Sequence, residues 1–438
     1  MQKYGINICY QNLFPYFRVK MISQLLFALL FAAALWLIVK RIKTIQATIN
    51  LGRPLKIEPS AKRWKQMALI ALGQGKMFKK PVPALLHLIV YLGFIIVNIE
   101  LAEILWDGFF GAHRIARSWL GNGFYAFVVN FCEFSAVAVA LACTLFLVRR
   151  NILRIERFRS HDLKKKPFLD GNIILFFEIA LMVIFLVMNA ADSLLSENQE
   201  LSRGYFFSSA MQPMLCGFSR SSLLAIERGA WWLHILGILG FALYVTYSKH
   251  LHIVLAFPNT YFANTERGNL SPMPTVTNEV KSMFGLPSET TEAPPRFGAK
   301  DVTDLAWTHL LAAYSCTECG RCSAQCPATA TGKKLSPRRI MMATRDRLED
   351  IAASSVDNGK TLLHDFISKE ELNACTTCHA CAEACPVLIN PMDIILEMRR
   401  FVAMEEAASP QAWNMMFQNI ETNFAPWKFP AADRFKLD

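Results

Sequence analysis

The chain has 438 residues, 53% of them apolar, and carries 46 Lys and Arg against 35 Asp and Glu for a net charge of +11. That length allows two or three domains, and the apolar residues concentrate in the first 255. The basic residues gather in alternate loops between apolar runs, which argues for a membrane protein and against nucleic acid as a partner; the lack of a G-x-G-x-x-G loop argues against a nicotinamide or flavin site of its own.

Five runs are long enough to cross a bilayer at about 1.5 Å per residue. They are Ile22 to Val39, Ala84 to Trp106, Phe124 to Val148, Asn172 to Ala191, and Gly229 to about Ala256, and together they define a membrane domain over residues 22–257. Residues 1–21 are expected to form an external N-terminal segment without strong pattern; Met21 opens the first run, so either Met1 or Met21 serves as the start. Lys40 and Arg41 follow the first run where a cleaved signal peptide would need small residues. Basic residues crowd the loop from Lys40 to Lys80 and the loop from Arg149 to Lys166. The alternate loops hold only Arg114 and Arg117, and Arg203, Arg220 and Arg228. The positive-inside rule then makes the N-terminus external and everything after the fifth run cytoplasmic, in a multi-pass protein of the cytoplasmic (inner) membrane.

Ionisable residues within the runs are costly unless buried and paired. Glu133 and Glu178 are read either as proton carriers in quinone chemistry or as hydrogen-bonded structural acids, the second being favoured. His87 lies just inside the second run on the cytoplasmic side. His234 and His252 are 18 residues apart in the fifth, which on one continuous helix is five turns and about 27 Å of rise, one histidine near each membrane surface. By themselves His250 and His252 could face anionic headgroups; with His87 at matching depth, His87 and His252 read as a pair of haem ligands.

Residues 258–304, rich in Pro, Thr, Ser, Asn and Glu, are expected to form a surface linker. The domain over 305–404 carries Cys316, Cys319, Cys322 and Cys326 before Pro327, and Cys375, Cys378, Cys381 and Cys385 before Pro386. Each is a C-x2-C-x2-C-x3-C-P run, the pattern of proteins with two [4Fe–4S] clusters, in which the fourth cysteine serves the other cluster. Cys316, Cys319, Cys322 and Cys385 are therefore assigned to one cluster, and Cys375, Cys378, Cys381 and Cys326 to the other. Zinc sites usually pair C-x2-C with a distant second pair, and disulfides conflict with the reduced thiols that clusters need. Helices are expected over Pro337–Ile351, Lys360–Asn373 and Asn390–Arg400, with little strand signal. Residues 405–438 form a tail in which Asn419–Lys428 reads as a docking strand.

Five spans with a histidine early in the second and two histidines 18 apart in the fifth resemble the gamma, cytochrome b subunit of respiratory nitrate reductase and the related membrane cytochromes of heterodisulfide reductase. The segment after them resembles the α-helical ferredoxin domain found in the C subunit of heterodisulfide reductase and in succinate dehydrogenase iron–sulfur subunits. The resemblance implies an all-α protein, a five-helix transmembrane bundle followed by a cytoplasmic α-helical ferredoxin-type domain. It also implies that His87 and His252 hold the haem nearer the cytoplasm. The family's other ligand on the second span falls at Val97, which cannot bind iron. Asn98 and Glu100 are poor ligands and His113 is remote, so His234, the candidate for a second haem, lacks an evident partner.

The expected function is a membrane electron-transfer subunit of a heterodisulfide-reductase-like complex. It links menaquinone or ubiquinone, through one haem b and two [4Fe–4S] clusters, to a partner. The cysteine-rich CCG repeats of disulfide-reducing relatives are absent and no cysteine follows Cys385, so a CCG-domain or other redox subunit on a separate chain is expected to carry the substrate chemistry. The alternatives are a membrane assembly factor that reduces copper for terminal oxidases, and a redox sensor.

Overall fold

The computed structural model describes residues 7–153, 155–163, 166–196, 205–266, 268, 274–287, 296–354, 358–428 and 432. Parts of three expected segments lie outside the described residues: 1–6 of the N-terminal segment, 267, 269–273 and 288–295 of the linker, and the tail after 428 apart from 432. Among the described residues every regular element is helical; β pairing amounts to two isolated bridges, Arg53 with Ala306 and Leu363 with Ile367. The chain divides into two compact units: residues 1–46, 68–257 and 317–319 make the first, and residues 47–67, 258–316 and 320–438 the second.

Five helices of the first unit are long and apolar enough to cross a membrane. They are α1 (Asn7–Ile49, apolar from Met21), α2 (Pro81–Phe110), α3 (Asn122–Asn151), α4 (Lys166–Leu195) and α5 (Arg220–Val245). α1 begins at Asn7, so helix extends back into the stretch that has no sequence pattern. Pro81 starts α2 where its missing N–H costs nothing, and Gly111 ends it at φ 64°. α2 packs on α3, α3 on α4 and α4 on α5. Their shared core includes Cys132, Ala136 and Val139 of α3, Met182 and Phe185 of α4, and Trp231 and Ile235 of α5.

The fifth run is not one helix. α5 stops at Val245, Ser248 is extended (φ −115°, ψ 165°), a single 3-10 turn covers Lys249–Leu251, and α6 (His252–Phe262) starts afresh. The hydroxyl of Thr246 bonds the Leu243 carbonyl and that of Ser248 accepts the His250 N–H, two side chains competing with the helix ladder. The periodicity argument that sets His234 and His252 five turns apart on one face therefore fails, because their helices are separate.

The second unit contains α7 (Pro274–Met283), α8 (Trp307–Ser315), α9 (Pro337–Ala353), α10 (Pro391–Met404) and α11 (Gln411–Asn423). α7 lies inside the segment expected to be a surface linker. Ser336 and Asn390 cap α9 and α10, each followed by Pro at the first helical position. α9 packs on α8 and α10 around Leu310, Ile340, Leu348, Ile395 and Met398. Residues 47–67 belong here: Arg53 exchanges backbone hydrogen bonds with Leu305 (2.7 Å) and Trp307 (3.2 Å), and the Thr48 hydroxyl meets the Tyr314 hydroxyl at 3.0 Å. The helix expected over Lys360–Asn373 is α-helical only at Lys369–Asn373. Leu363 and His364 leave helical geometry, His364 at φ 81°. Asn419–Asn423 is the last turn of α11 rather than a strand.

Gly298 (φ 73°) fixes the approach of residues 297–299 to α10. A methyl group there would overlap the Glu397 carbonyl and the Phe401 amide. Gly298→Ala should therefore destabilise the second unit by about 1–3 kcal/mol. Gly332→Ala, equally left-handed (φ 76°) but with nothing within 4 Å, should cost about 1 kcal/mol. Thermal bleaching of the iron–sulfur absorbance in the two variants measures the difference.

Candidate functional site

The two cysteine runs have one backbone design. In the first, Glu318 and Gly320 take positive φ (56° and 71°); in the second, Thr377 and His379 do (54° and 58°), at the same offsets from Cys316 and Cys375. Alternating left-handed residues turn successive N–H groups inward, a concavity suited to an anionic group such as a thiolate-bound cluster. A short helix follows in each, Arg321–Ala324 and Ala380–Ala384, and these two helices pack together. An arginine holds each loop: Arg345 of α9 donates to the Cys316 carbonyl (3.4 Å), and Arg399 of α10 to the Cys375 carbonyl (2.5 Å). Sequence reasoning does not find either arginine; the only signal is that each lies on a helix next to a cysteine run.

Cys316, Cys326 and Cys381 are buried, Cys319, Cys322, Cys375 and Cys385 are partly buried, and Cys378 is exposed. Cys326 lies close enough to Cys375 and Cys381 to act on both electrostatically, as Cys378 does. Burial raises the Cys375 thiol and pushes Cys381 up to about 12. Amide hydrogens of Thr377 and Ile389 point at the sulfurs of Cys375 (3.4 Å) and Cys385 (3.3 Å). Among the described residues, no three His, Cys, Asp or Glu side chains are drawn together as a single metal ion would require.

In the first unit, the His87 and His252 rings lie near each other with centroids 6.3 Å apart. Nδ1 of His87 contacts Gln74 Oε1 (3.0 Å) and Nδ1 of His252 contacts the Lys249 carbonyl (3.2 Å). Both partner oxygens only accept, so both Nδ1 atoms carry the proton and both Nε2 atoms carry the lone pair. His250 stands beside His252 at 5.4 Å and its Nε2 is 3.6 Å from Glu178. Burial, then the neighbouring His252 and His87, push the His250 pKa down to about 3; burial also lowers that of His252. Gln74 is illegible in sequence, because it lies in the loop after a one-turn π-helix.

The opposite ends of these helices hold a buried ionic network around Arg114. Its guanidinium meets Glu100 (2.5 Å), Asp192 (3.3 Å) and Asn189 (2.5 Å). Burial alone would lower the Arg114 pKa; the negative groups around it, Glu100 and Asp192 among them, hold it well above its ordinary value. His113 bonds Asp192 through Nε2 and Arg228 through Nδ1, so neither nitrogen is turned toward His234. Glu133 accepts from the amides of Phe207 and Ser208, the Ser208 hydroxyl and Asn189. Such a carboxylate is a latch for residues 205–208, the structural alternative of the two offered for it. Glu178, His234 and Val97 line one cleft.

Residues 312–389 match a family model described as a 4Fe-4S dicluster domain. Over 94% of its length the chain is 28% identical to the "Probable iron-sulfur-binding oxidoreductase FadF" of Bacillus subtilis, covering 60% of that protein. It is 26% identical over 98% of its length to the "EtfAB:quinone oxidoreductase" of Syntrophomonas wolfei, covering 59% of it. Across 22% of the chain it is 38% identical to the C subunit of the ferredoxin/F(420)H(2)-dependent CoB-CoM heterodisulfide reductase of Methanosarcina acetivorans, matching 50% of that polypeptide. The chain thus spans about three-fifths of the length of the first two relatives. No solved structure matches. With its five apolar helices, the chain is a membrane-anchored iron–sulfur electron-transfer protein related to the heterodisulfide reductase C subunit and to quinone oxidoreductases.

The left-handed loop residues give a direct test. Thr377→Val puts a β-branched apolar side chain at φ 54° and should cost about 1–2 kcal/mol locally, whereas Thr377→Gly should relieve strain. Iron and sulfide per purified chain should fall in the valine variant and hold in the glycine variant.

Proposed function

We propose that this chain passes electrons between the membrane quinone pool and a redox subunit on another chain. It would hold one haem b between His87 and His252. Two [4Fe–4S] clusters would sit on Cys316, Cys319, Cys322 and Cys385 and on Cys375, Cys378, Cys381 and Cys326. The observation that carries the haem is the matched pair of imidazoles. Each has Nδ1 tied to an acceptor, the outer hydrogen bond usual for a metal-bound histidine. Two ring nitrogens each about 2 Å from one metal would put the ring centroids roughly 6 Å apart, and they are 6.3 Å apart. Haem b bound there would supply one-electron exchange between a quinone and the iron–sulfur centres.

The thiol arrangement favours clusters over zinc. Sulfurs around one zinc ion stand about 3.8 Å apart, whereas a cubane separates its ligands by its own width. Thiols that feel one another without closing on a single-ion site fit the larger group. With Cys381 so hard to ionise by itself, the iron must supply the charge that keeps it a thiolate.

The partner reading rests on the relatives. One is named for joining EtfAB to quinone, and we carry that pair of reactants, or a CCG-type redox subunit, to this chain. α11 leaves Trp413, Phe417 and Ile420 exposed and Phe424 beyond its end, an apolar face suited to such a partner. Charge asymmetry between loops supports a cytoplasmic second unit, with the Arg114 network at the external end of the bundle.

A reduced-minus-oxidised spectrum with iron and sulfide analysis tests the reading. The wild type should show one b-type haem and about eight cluster irons per chain. His87→Ala and His252→Ala should each abolish the haem band, and Cys326→Ser should remove about half of the cluster iron. Gln74→Leu should keep the fold but weaken haem retention about 10–100-fold. A wild type with clusters and no haem would sink the conduit.

A further inference from the structure

We propose that the cleft among α2, α3, α4 and α5 binds a quinol headgroup, held by His234 and Glu100, and that its protons leave through Glu100, Asp192 and His113. This rests on the quinone-linked function above and assigns its site. The cleft is open on one side and its volume is about 90 Å³, room for part of a ring with the rest in the mouth. On α2 its lining runs from Gly93 to Ile104, about 16 Å of helix rise. Val97, Leu101, Val139 and Ile238 make its walls apolar, and Phe185 and Phe241 offer ring faces.

Two polar atoms in this apolar setting have no hydrogen-bond partner among the described residues: His234 Nδ1 and Glu100 Oε2. Their residues are 2% and 5% exposed. Polar atoms this deep in a membrane bundle are costly unless something completes them. The ring of His234 also bonds the Leu181 carbonyl, which only accepts, so Nε2 is the donor and Nδ1 presents a lone pair. With Glu100 ionised beside Arg114, its free oxygen accepts too, so both orphan atoms are acceptors. A flat apolar ring with an O–H at each end supplies the two donors they lack, and that is the chemistry of a hydroquinone. Val97 stands in the same wall, an apolar side chain where a second haem would need a ligand opposite His234.

Oxidation of the bound quinol breaks both O–H bonds. Haem b and the clusters, when bound, would take its two electrons one at a time; its two protons go to the two acceptors, the His234 proton following through Glu100 once that carboxylate has released its own. Glu100 then opens the way out. Arg114 stays protonated and touches Glu100 on one side and Asp192 on the other, which sets the two carboxylates one guanidinium apart. Asp192 Oδ1 is 3.0 Å from His113 Nε2, and the His113 side chain is 43% exposed. Quinone reduction runs the same steps backwards. Glu133, saturated by donors, is off this route.

The test uses the full chain and the probe 2-heptyl-4-hydroxyquinoline N-oxide, whose fluorescence is quenched on binding, alongside haem per chain as a fold check. Val97→Phe and His234→Phe should weaken probe binding about tenfold or more with the haem band unchanged. Glu100→Gln should do the same and, in proteoliposomes given menadiol, slow proton release several-fold on the side away from the clusters. If Glu100→Gln does not accumulate, the first two variants decide the site. Unchanged probe binding in Val97→Phe and His234→Phe would overturn the proposal. So would two haems per wild-type chain with one lost in His234→Phe, or proton release on the cluster side. Absence of haem from the wild type would instead overturn the conduit, and probe binding would still report on the cleft.

Discussion

A charge held inside a low-dielectric bundle must be paired, and the membrane unit is built around one such charge. Arg114 comes from a short loop between α2 and α3, yet its guanidinium is buried against Glu100, Asp192 and Asn189. Removing its acidic partners would leave a bare ion, which costs several kcal/mol. The pairing pulls α2 and α4 to the same loop, and Glu103, bonded by Tyr125, brings in α3. Glu133 adds residues 205–208 to the same end of the bundle through three accepted hydrogen bonds, and accepts a fourth from Asn189. So the end of the unit far from His87 and His252 is held by electrostatics, and the apolar core toward the middle is left to pack around Phe185 and Ile235.

Long apolar runs and the repeated cysteine spacing are legible in sequence because each is a local, one-dimensional signal. Four of the five runs fall within single observed helices. The fifth does not, since hydropathy continues through Thr246 and Ser248 while their hydroxyls turn the backbone out of the helix. A continuous fifth helix would fix the direction of His252 by that of His234; instead the break gives His252 a helix of its own, and its ring meets that of His87. Gln74 and the network around Arg114 are illegible, since both join loop residues to helix residues elsewhere in the chain. Arg345 and Arg399 are hidden similarly: nothing in their own segments marks them, and only the fold sets each against the first carbonyl of a cysteine run.

The two cysteine runs show how a repeat in sequence becomes a repeat in physics. Equivalent left-handed positions, equivalent short helices and equivalent arginines recur in both. The residue types at the left-handed positions do not repeat: Gly320 takes its conformation without cost, while His379, Thr377 and Glu318 carry a steric penalty in theirs. Strain of that kind persists only where surrounding contacts over-determine it. Here the carbonyl bonds from Arg399 and the amide-to-sulfur contact of Thr377 do so for the second run.

Val97 decides what the membrane cleft can hold. A histidine there would face the cleft that His234 lines and would make the two acceptors, His234 Nδ1 and Glu100 Oε2, secondary to a metal. Valine supplies no ligand, keeps the wall apolar and leaves those two as buried polar atoms without a partner among the described residues. The side chain at this position therefore sets the kind of molecule the cleft can satisfy: not one that needs two nitrogen lone pairs, but one that offers two hydrogens. Because Glu100 already belongs to the Arg114 network, the same residue that would receive a proton from such a molecule is tied to the exposed edge of the bundle. Binding and proton exchange then depend on one carboxylate, and its second oxygen is left to the cleft because Arg114 has taken the first.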